Sequence, residues 1–443
     1  MKLLYIGDNS DSLNLGCRAT SIALRELASE HAELLGPVPT RMIQARWPVS
    51  DFAGDWAYGQ AARLLNRNRF RALPLVGSLV GKVMDAIGTR DAITHDLEAN
   101  ADALIRAQSY SKDARALITW LEEADGAVVN GEGDLIFSDP ARQRLLFILT
   151  ICDMLLKRGK TLFYLNAMAS PPPDGAPNAE TLAIADSVLS RASAFSLRDP
   201  KSHTWAREHL PEAGLKATMH PDAVFTWLSR FDHLGGEHDP AAANPYLDSS
   251  SHAFPKEACS PYILVGGSSR SAWDKPRAAK AFPALVEALQ EMAQGRNLKV
   301  VLQPACTGDS FLEDVAKETG APIVPLPAPI DAHVALLANA RAYISGRWHP
   351  SIMAALGGTP CVFMGSNSHK MLALQEQLGY SDPHEFSPWP EADDIAAMVE
   401  EVSRLLDEGA ERREAIRASA RAMSAASREM IDPLLQPSRH ANT

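Results

Sequence analysis

Short apolar runs alternate with longer amphipathic stretches along most of the chain. LLYIG ends at Gly7, gives way to the polar loop DNSDSLN, and is followed from about Gly16 to Ser29 by apolar residues at helical spacing. The alternation returns in ADGAVVN, in ARQRLLFILTICDMLLKRG, which is helical by length and periodicity, and in the strand KTLFYLNA. AETLAIADSVLSRASAFSLRD supplies another helix and strand, and KATMHPDAVFTWL closes this half. Repeated strand, loop and helix predict parallel strands joined by crossover helices, and so an open doubly wound sheet.

The pattern lapses in GGEHDPAAANPYLDSSSHAFPKEACS, which is rich in Gly, Pro, Ser and Asp. It restarts with the strand PYILVGGSS, helix 278–294, strand LKVVLQPA, helix 310–319, strand APIVPLP, helix 331–340, strand AYISG, helix 350–357 and strand PCVFMG. The expected fold class is therefore α/β, with two doubly wound Rossmann-like domains facing a cleft. An N-terminal domain spans 1–235, a linker 236–260 and a C-terminal domain 261–392, and a polar helical tail, 393–443, packs back on the first domain. A length of 443 residues agrees, because single cores stop growing at roughly 250–300 residues.

Composition narrows the function. Apolar residues make up 46% and charged residues 22%, ordinary values for a globular protein. A net charge of −11 argues against a nucleic-acid partner, which calls for clustered Lys and Arg. Cys17, Cys152, Cys259, Cys306 and Cys361 lack CxxC spacing, so reduced thiols are expected, with no metal. The first strand begins beside Met1 without a secretory leader, and Leu145–Leu156 is too short to span a bilayer, so a cytoplasmic location is expected. Trp56 to Met84 carries Arg63, Arg67, Arg69, Arg71 and Lys82 without an acidic residue. This basic, apolar insertion reads either as a lid or as peripheral contact with the inner face of a membrane or a lipid-linked anionic acceptor.

In open α/β sheets ligands gather at the carboxyl ends of strands, and four such ends carry candidate chemistry. Asn14 and Gly16 open a helix whose N–H groups suit an anion or sugar hydroxyl, although tight βα loops also use these residues. In NGEGD, Gly131 and Gly133 allow close backbone approach beside Asn130, and Glu132 and Asp134 add carboxylates; turn and cap roles are the alternative. There is no Walker lysine and no GxGxxG, so a nucleotide cofactor is not expected. Arg198 follows the strand AFSL and can fork onto a carboxylate or phosphate, or pair with Asp199. In SGRWHPSIMAALGGTPCVFMGSNSHK, Arg347, Trp348 and His349 lie between a strand and a helix, and Lys370 follows the next strand. A cation, an imidazole and a helix N-terminus suit phosphate binding with acid–base chemistry. His220, ahead of Pro221 and Asp222, is a further candidate.

The order NGEGD, LRDPKS, HPDAVF, SGRWHPSIMAALGGTP and SHK resembles the bacterial polysaccharide pyruvyl transferases. Trp348, Pro350 and the NGEGD loop depart from that family's usual residues. The resemblance implies a GT-B-like fold and transfer of pyruvate from phosphoenolpyruvate to two hydroxyls of a sugar as a cyclic ketal, with no cofactor beyond that donor. It makes Arg198 and Arg347 the expected anchors of the donor's two anionic groups and His349 the proton-handling group. Asn14, Gly16, Asn130–Asp134, Asp222, Trp348 and Lys370 are the expected substrate contacts. Trp348 stacks on the acceptor ring or belongs to the core. The alternatives are a sugar-nucleotide glycosyltransferase on the same architecture and a non-catalytic carbohydrate-binding protein.

Overall fold

The structure, a computed structural model, describes residues 1–39, 93–109, 111–231, 234 and 255–435. The insertion at 56–84, linker residues 236–254 and the end of the tail, 436–443, lie outside the described residues.

The first half contains strands β1 (Lys2–Asp8), β2 (Glu33–Pro39), β3 (Gly126–Asn130), β4 (Leu135–Ile136), β5 (Thr161–Ala167), β6 (Ala169–Ser170), β7 (Ala194–Leu197) and β8 (Thr218–Met219). Its longer described helices are α1 (Leu15–Ser29), α2 (Leu97–Ala107), α3 (Lys112–Glu123), α4 (Gln143–Lys157), α5 (Ala179–Leu189) and α6 (Pro200–His209). Six strands form one parallel sheet in the order β2-β1-β3-β5-β7-β8, and β4 pairs with β6 separately. Leu3 to Ile6 are buried, as expected of a central parallel strand covered on both faces.

The second half contains β9 (Tyr262–Ser268), β10 (Lys299–Leu302), β11 (Ala342–Gly346) and β12 (Cys361–Phe363), paired in parallel in the order β10-β9-β11-β12. Helices α7 (Lys275–Gln294), α8 (Phe311–Thr319), α9 (Ile330–Asn339), α10 (Trp348–Leu356) and α11 (Lys370–Gln377) alternate with these strands. A long helix, α12 (Ala392–Arg428), follows and is kinked at Gly409, where φ is 58° and ψ −128°.

Two local expectations change. APIVPLP contributes only a bridge from Ile323 to Leu302, because Pro322, Pro325 and Pro327 have no N–H to give a ladder. In the segment that closes the first half, the two residues of β8 are followed by a 3₁₀ turn from Ala223 to Trp227, capped by Asp222. Helix α10 starts at Trp348 rather than Pro350, since proline is tolerated in a first turn, and this places His349 on the helix.

One apolar cluster runs through both halves, uniting Tyr5, Ala23 and Leu27 with Phe225 and Trp227, and these with Tyr343, Ile352 and Leu356. Beyond its kink, α12 joins the cluster through Ile416 and Ala420, and Ser427 donates its hydroxyl to the Asp222 carbonyl at 3.1 Å. Before the kink, Met398, Val402 and Leu405 pack with the second-half core. Among the described residues no helix is long and apolar enough to cross a membrane.

Candidate active site

In both parallel sheets the order of strand addition reverses between the first and third strands in chain order, β1 beside β3 and β9 beside β11. Crevices form at the carboxyl ends of such strand pairs because the loops on either side turn away from each other. Asn14 and the Asn130–Asp134 loop flank the first crevice, and the Ser268–Asp274 loop and Arg347 flank the second.

The two crevices are joined through a buried cluster. Arg198, just after β7, places Nη1 3.1 Å from Asp222 Oδ2 and 3.1 Å from His349 Nε2. His349 Nε2 lies 3.2 Å from the same Asp222 oxygen, which also accepts the Trp348 indole N–H at 3.0 Å. Arg198, Asp222, Trp348 and His349 are all buried. The ion partner of Arg198 is thus Asp222 rather than the neighbouring Asp199. Burial alone would raise the Asp222 carboxyl, but His349 and then Arg198 outweigh it and hold the group well below the usual carboxylate range. His349 Nε2 therefore has an acceptor and a donor at equal range. It can donate to Asp222 or, in the other tautomer, accept from Arg198.

Trp348 is 3% exposed, and its ring is covered by the Arg198 guanidinium, whose carbon lies 4.9 Å from the ring centroid. Of the two roles left open for Trp348, acceptor stacking and core, its burial favours the core. The indole orients Asp222 and gives Arg198 a flat cation–π surface.

Arg347, the residue that precedes the same helix, pairs with the buried Asp309. Burial opposes its charge, but Asp309 reverses the effect and raises its pKa. Both arginines expected to grip an anion are thus held by aspartates, and each keeps a buried Nε without a protein partner. Lys370, the first residue of α11, donates to Asn367 Oδ1 at 2.6 Å and Ser269 Oγ at 3.2 Å. Burial, then the charges of Arg198 and Arg347, push its ammonium down to about 7. Glu385, which sequence reasoning missed, has its carboxyl raised by burial to about 7, against the pull of the Leu372 N–H and Lys370.

The N-terminal candidates divide. Asn14 spends its side chain capping α1, accepting from Gly16 N at 3.0 Å and Cys17 N at 3.2 Å, so those donors are not free for a ligand. Gly16 serves by its size: a Cβ there would stand 2.5 Å from His349 Nδ1. Asn130 is fully buried and accepts from Asn166 at 3.2 Å, which in turn accepts the Ala223 N–H at 3.0 Å. It supports the loop holding Asp222 rather than meeting a ligand. Gly131 is closed in by Ala167 and Tyr164, and the Gly133 carbonyl accepts from Arg142. Asp134 binds Arg144 at 2.8 Å, and burial nonetheless raises its pKa. Glu132, at φ 38°, accepts from Asn9 at 2.9 Å. Burial raises its carboxyl, but Arg144 and His349 outweigh it, and its pKa is lowered. Of this loop Glu132 is the carboxylate that faces His349 electrostatically.

His220 lies away from the cluster, 2.9 Å from Ser196 Oγ, and burial lowers its pKa. His369 was legible only as part of SHK, yet it crosses between the halves to Asp199 Oδ1 at 3.1 Å. Among the described residues no group of His, Cys, Asp and Glu could hold a metal ion.

A family model for polysaccharide pyruvyl transferase matches residues 85–368. No curated protein matches the chain significantly. Among solved structures, UDP-GlcNAc 2-epimerase from Neisseria meningitidis bound to UDP-GlcNAc is similar with a TM-score of 0.52 at 11% identity, covering 99% of this chain and 100% of that one. The S. aureus MnaA-UDP co-structure gives a TM-score of 0.51 at 11% identity, with coverage of 99% and 98%. Identity this low speaks for the fold alone, and that fold is GT-B-like. With a match extending over most of its length, the chain belongs to the polysaccharide pyruvyl transferase family and is a transferase.

Proposed function

We propose that this transferase moves pyruvate from phosphoenolpyruvate onto two hydroxyls of a sugar, free or lipid-linked, in a cell-surface polysaccharide or its precursor. We place the reaction in the cytoplasm or at the inner face of the membrane. The observation that carries the reading is the convergence of Arg198, Arg347 and Lys370 around a buried His349–Asp222 pair, which suits a small, doubly anionic donor. The Nε–H groups left over on the two arginines can take the donor's carboxylate and phosphate.

A proton added to the terminal carbon of the enol makes the methyl group and leaves an oxocarbenium-like centre, which one sugar hydroxyl attacks. Phosphate leaves with its bonding electrons, the second hydroxyl closes the ketal, and the two hydroxyl protons replace the one delivered and the one carried off by phosphate. His349 moves the proton, contributing roughly 10² to 10⁴ in rate. Lys370 in its charged form meets the departing phosphate. The reading needs no metal or organic cofactor.

Thermal unfolding against phosphoenolpyruvate and against UDP-GlcNAc tests it, because a ligand that binds only the native state raises Tm. Phosphoenolpyruvate should raise Tm, and Lys370→Gln should reduce that rise while still folding. A rise with UDP-GlcNAc and none with phosphoenolpyruvate would overturn the reading in favour of a sugar-nucleotide enzyme.

A further inference from the structure

Trp273 lies on the loop between β9 and α7, which overhangs the crevice of the second sheet. It is 58% exposed. The other tryptophans with described surroundings are engaged. Trp227 and Trp348 are buried, Trp205 stacks between Phe137 and His209, and Trp389 lies under Arg270 and Arg277.

The loop is fastened at several points. Ser268 Oγ accepts the N–H groups of Arg270 and Ser271, each at 3.0 Å. Ser269 accepts from Lys370 at 3.2 Å. A Cβ on Gly308 would lie 2.8 Å from the Ala272 methyl and 3.5 Å from Arg347 Nη2, so the residue before Trp273 sits beside the arginine's anchoring loop. Lys275 then ties the start of α7 to Thr307 O and Ser310 Oγ, each at 3.0 Å. The indole is thus held on a fixed segment at the rim of the crevice that contains Lys370 and Arg347.

Burying a large aromatic ring is normally favourable, and an exposed one on a fastened loop gives up that gain. A flat ring carried on the loop that borders this crevice is complementary to the apolar C–H face of a pyranose. We propose that Trp273 is the platform on which the acceptor sugar stacks, presenting two of its hydroxyls to the donor inside the crevice. The inference rests on the carbohydrate acceptor of the reading above. It assigns the acceptor's approach to the second half of the chain, beside the β9 end.

The test is calorimetric titration of the full chain with the methyl glycosides of glucose, galactose and mannose, comparing wild type, Trp273→Ala and Trp273→Phe. Trp273→Ala should weaken the glycoside that binds by about tenfold or more, and Trp273→Phe, which keeps a flat face, by no more than about threefold. Both variants should keep the wild-type Tm and its rise with phosphoenolpyruvate. Wild type and Trp273→Ala behaving alike across the panel would overturn the platform. So would loss of the phosphoenolpyruvate response in Trp273→Ala, since that would put the indole on the donor side. A wild type that binds glycosides through Trp273 but ignores phosphoenolpyruvate would instead overturn pyruvyl transfer and leave the platform standing.

Discussion

His349 is gripped from three directions: Nε2 by Asp222 and Arg198, and the Nδ1 edge by the bare Cα of Gly16. Alanine is the better helix former by about 1 kcal/mol, so on propensity alone Gly16→Ala should stabilise α1. Its methyl would nevertheless demand the space 2.5 Å from Nδ1, and the ring has to move. On the proposed function we expect kcat for phosphate release to fall roughly 10²-fold, because small displacements of a reacting group carry penalties of that size, and stability in urea to drop by about 1–3 kcal/mol, the usual cost of overpacking a buried site. Unchanged kcat would mean that the ring position is immaterial. Lys370 makes a second residue-scale prediction. Its folded pKa of about 7 lies below the unfolded value near 10.4, so the neutral form is favoured and its contribution to stability improves as pH rises between those limits. On the function proposed above, donor binding uses the charged form, so affinity for phosphoenolpyruvate should be greatest below about pH 7 and decline above it. Lys370→Arg, charged throughout, should flatten that decline in a titration from pH 6 to 9.

Elements were far more legible than the contacts between them. Helices α1, α4 and α12 announce themselves through periodicity, and β1, β3, β9 and β11 through short apolar runs that end in polar loops. APIVPLP was misread because its apolar content fits a strand while its three prolines remove ladder donors, and hydropathy does not register a missing N–H. Asn14 was ambiguous for a different reason: a cap and a ligand contact use the same side chain, and only the bonds to Gly16 N and Cys17 N decide between them. Removing the cap in Asn14→Ala should lower stability by about 0.5–2 kcal/mol in chemical denaturation. Because the freed first turn also carries Gly16 against His349, activity should fall as well. An activity loss without a stability loss would return Asn14 to the substrate-binding role.

Across the whole molecule, the site depends on pairings that no local window of sequence contains. Arg198 and Asp222 are 24 residues apart, and Arg198 and His349 151 apart. The motifs marked Arg198, Asp222 and His349 separately, but only folding made Asp222 the common acceptor and turned Trp348 inward beneath Arg198. The same bonds hold the halves together, along with Leu15 N to Ala305 O at 2.8 Å, Gln377 to the Arg198 carbonyl at 3.0 Å, and His369 to Asp199. The exposed Lys201–Glu376 pair spans the same seam and contributes about 0–1 kcal/mol, so the buried contacts dominate. Asp199 and Asp222 both ionise more readily in the folded chain than their burial alone would permit, Asp199 because its bond to His369 outweighs desolvation. A lowered folded pKa makes their contribution to stability complete above the unfolded carboxylate value near 3.9, and that contribution is lost as pH falls below it. The seam should therefore fail first in acid. Tm should drop steeply below about pH 4, accompanied by an increase in radius of gyration by small-angle scattering as the halves part. In His369→Ala the pKa of Asp199 loses its main depressing partner, so Tm should begin lower at pH 7 and fall less between pH 4 and 2. A variant whose Tm follows the wild-type pH profile at a constant offset would show that the Asp199–His369 bond is not what couples the seam to pH.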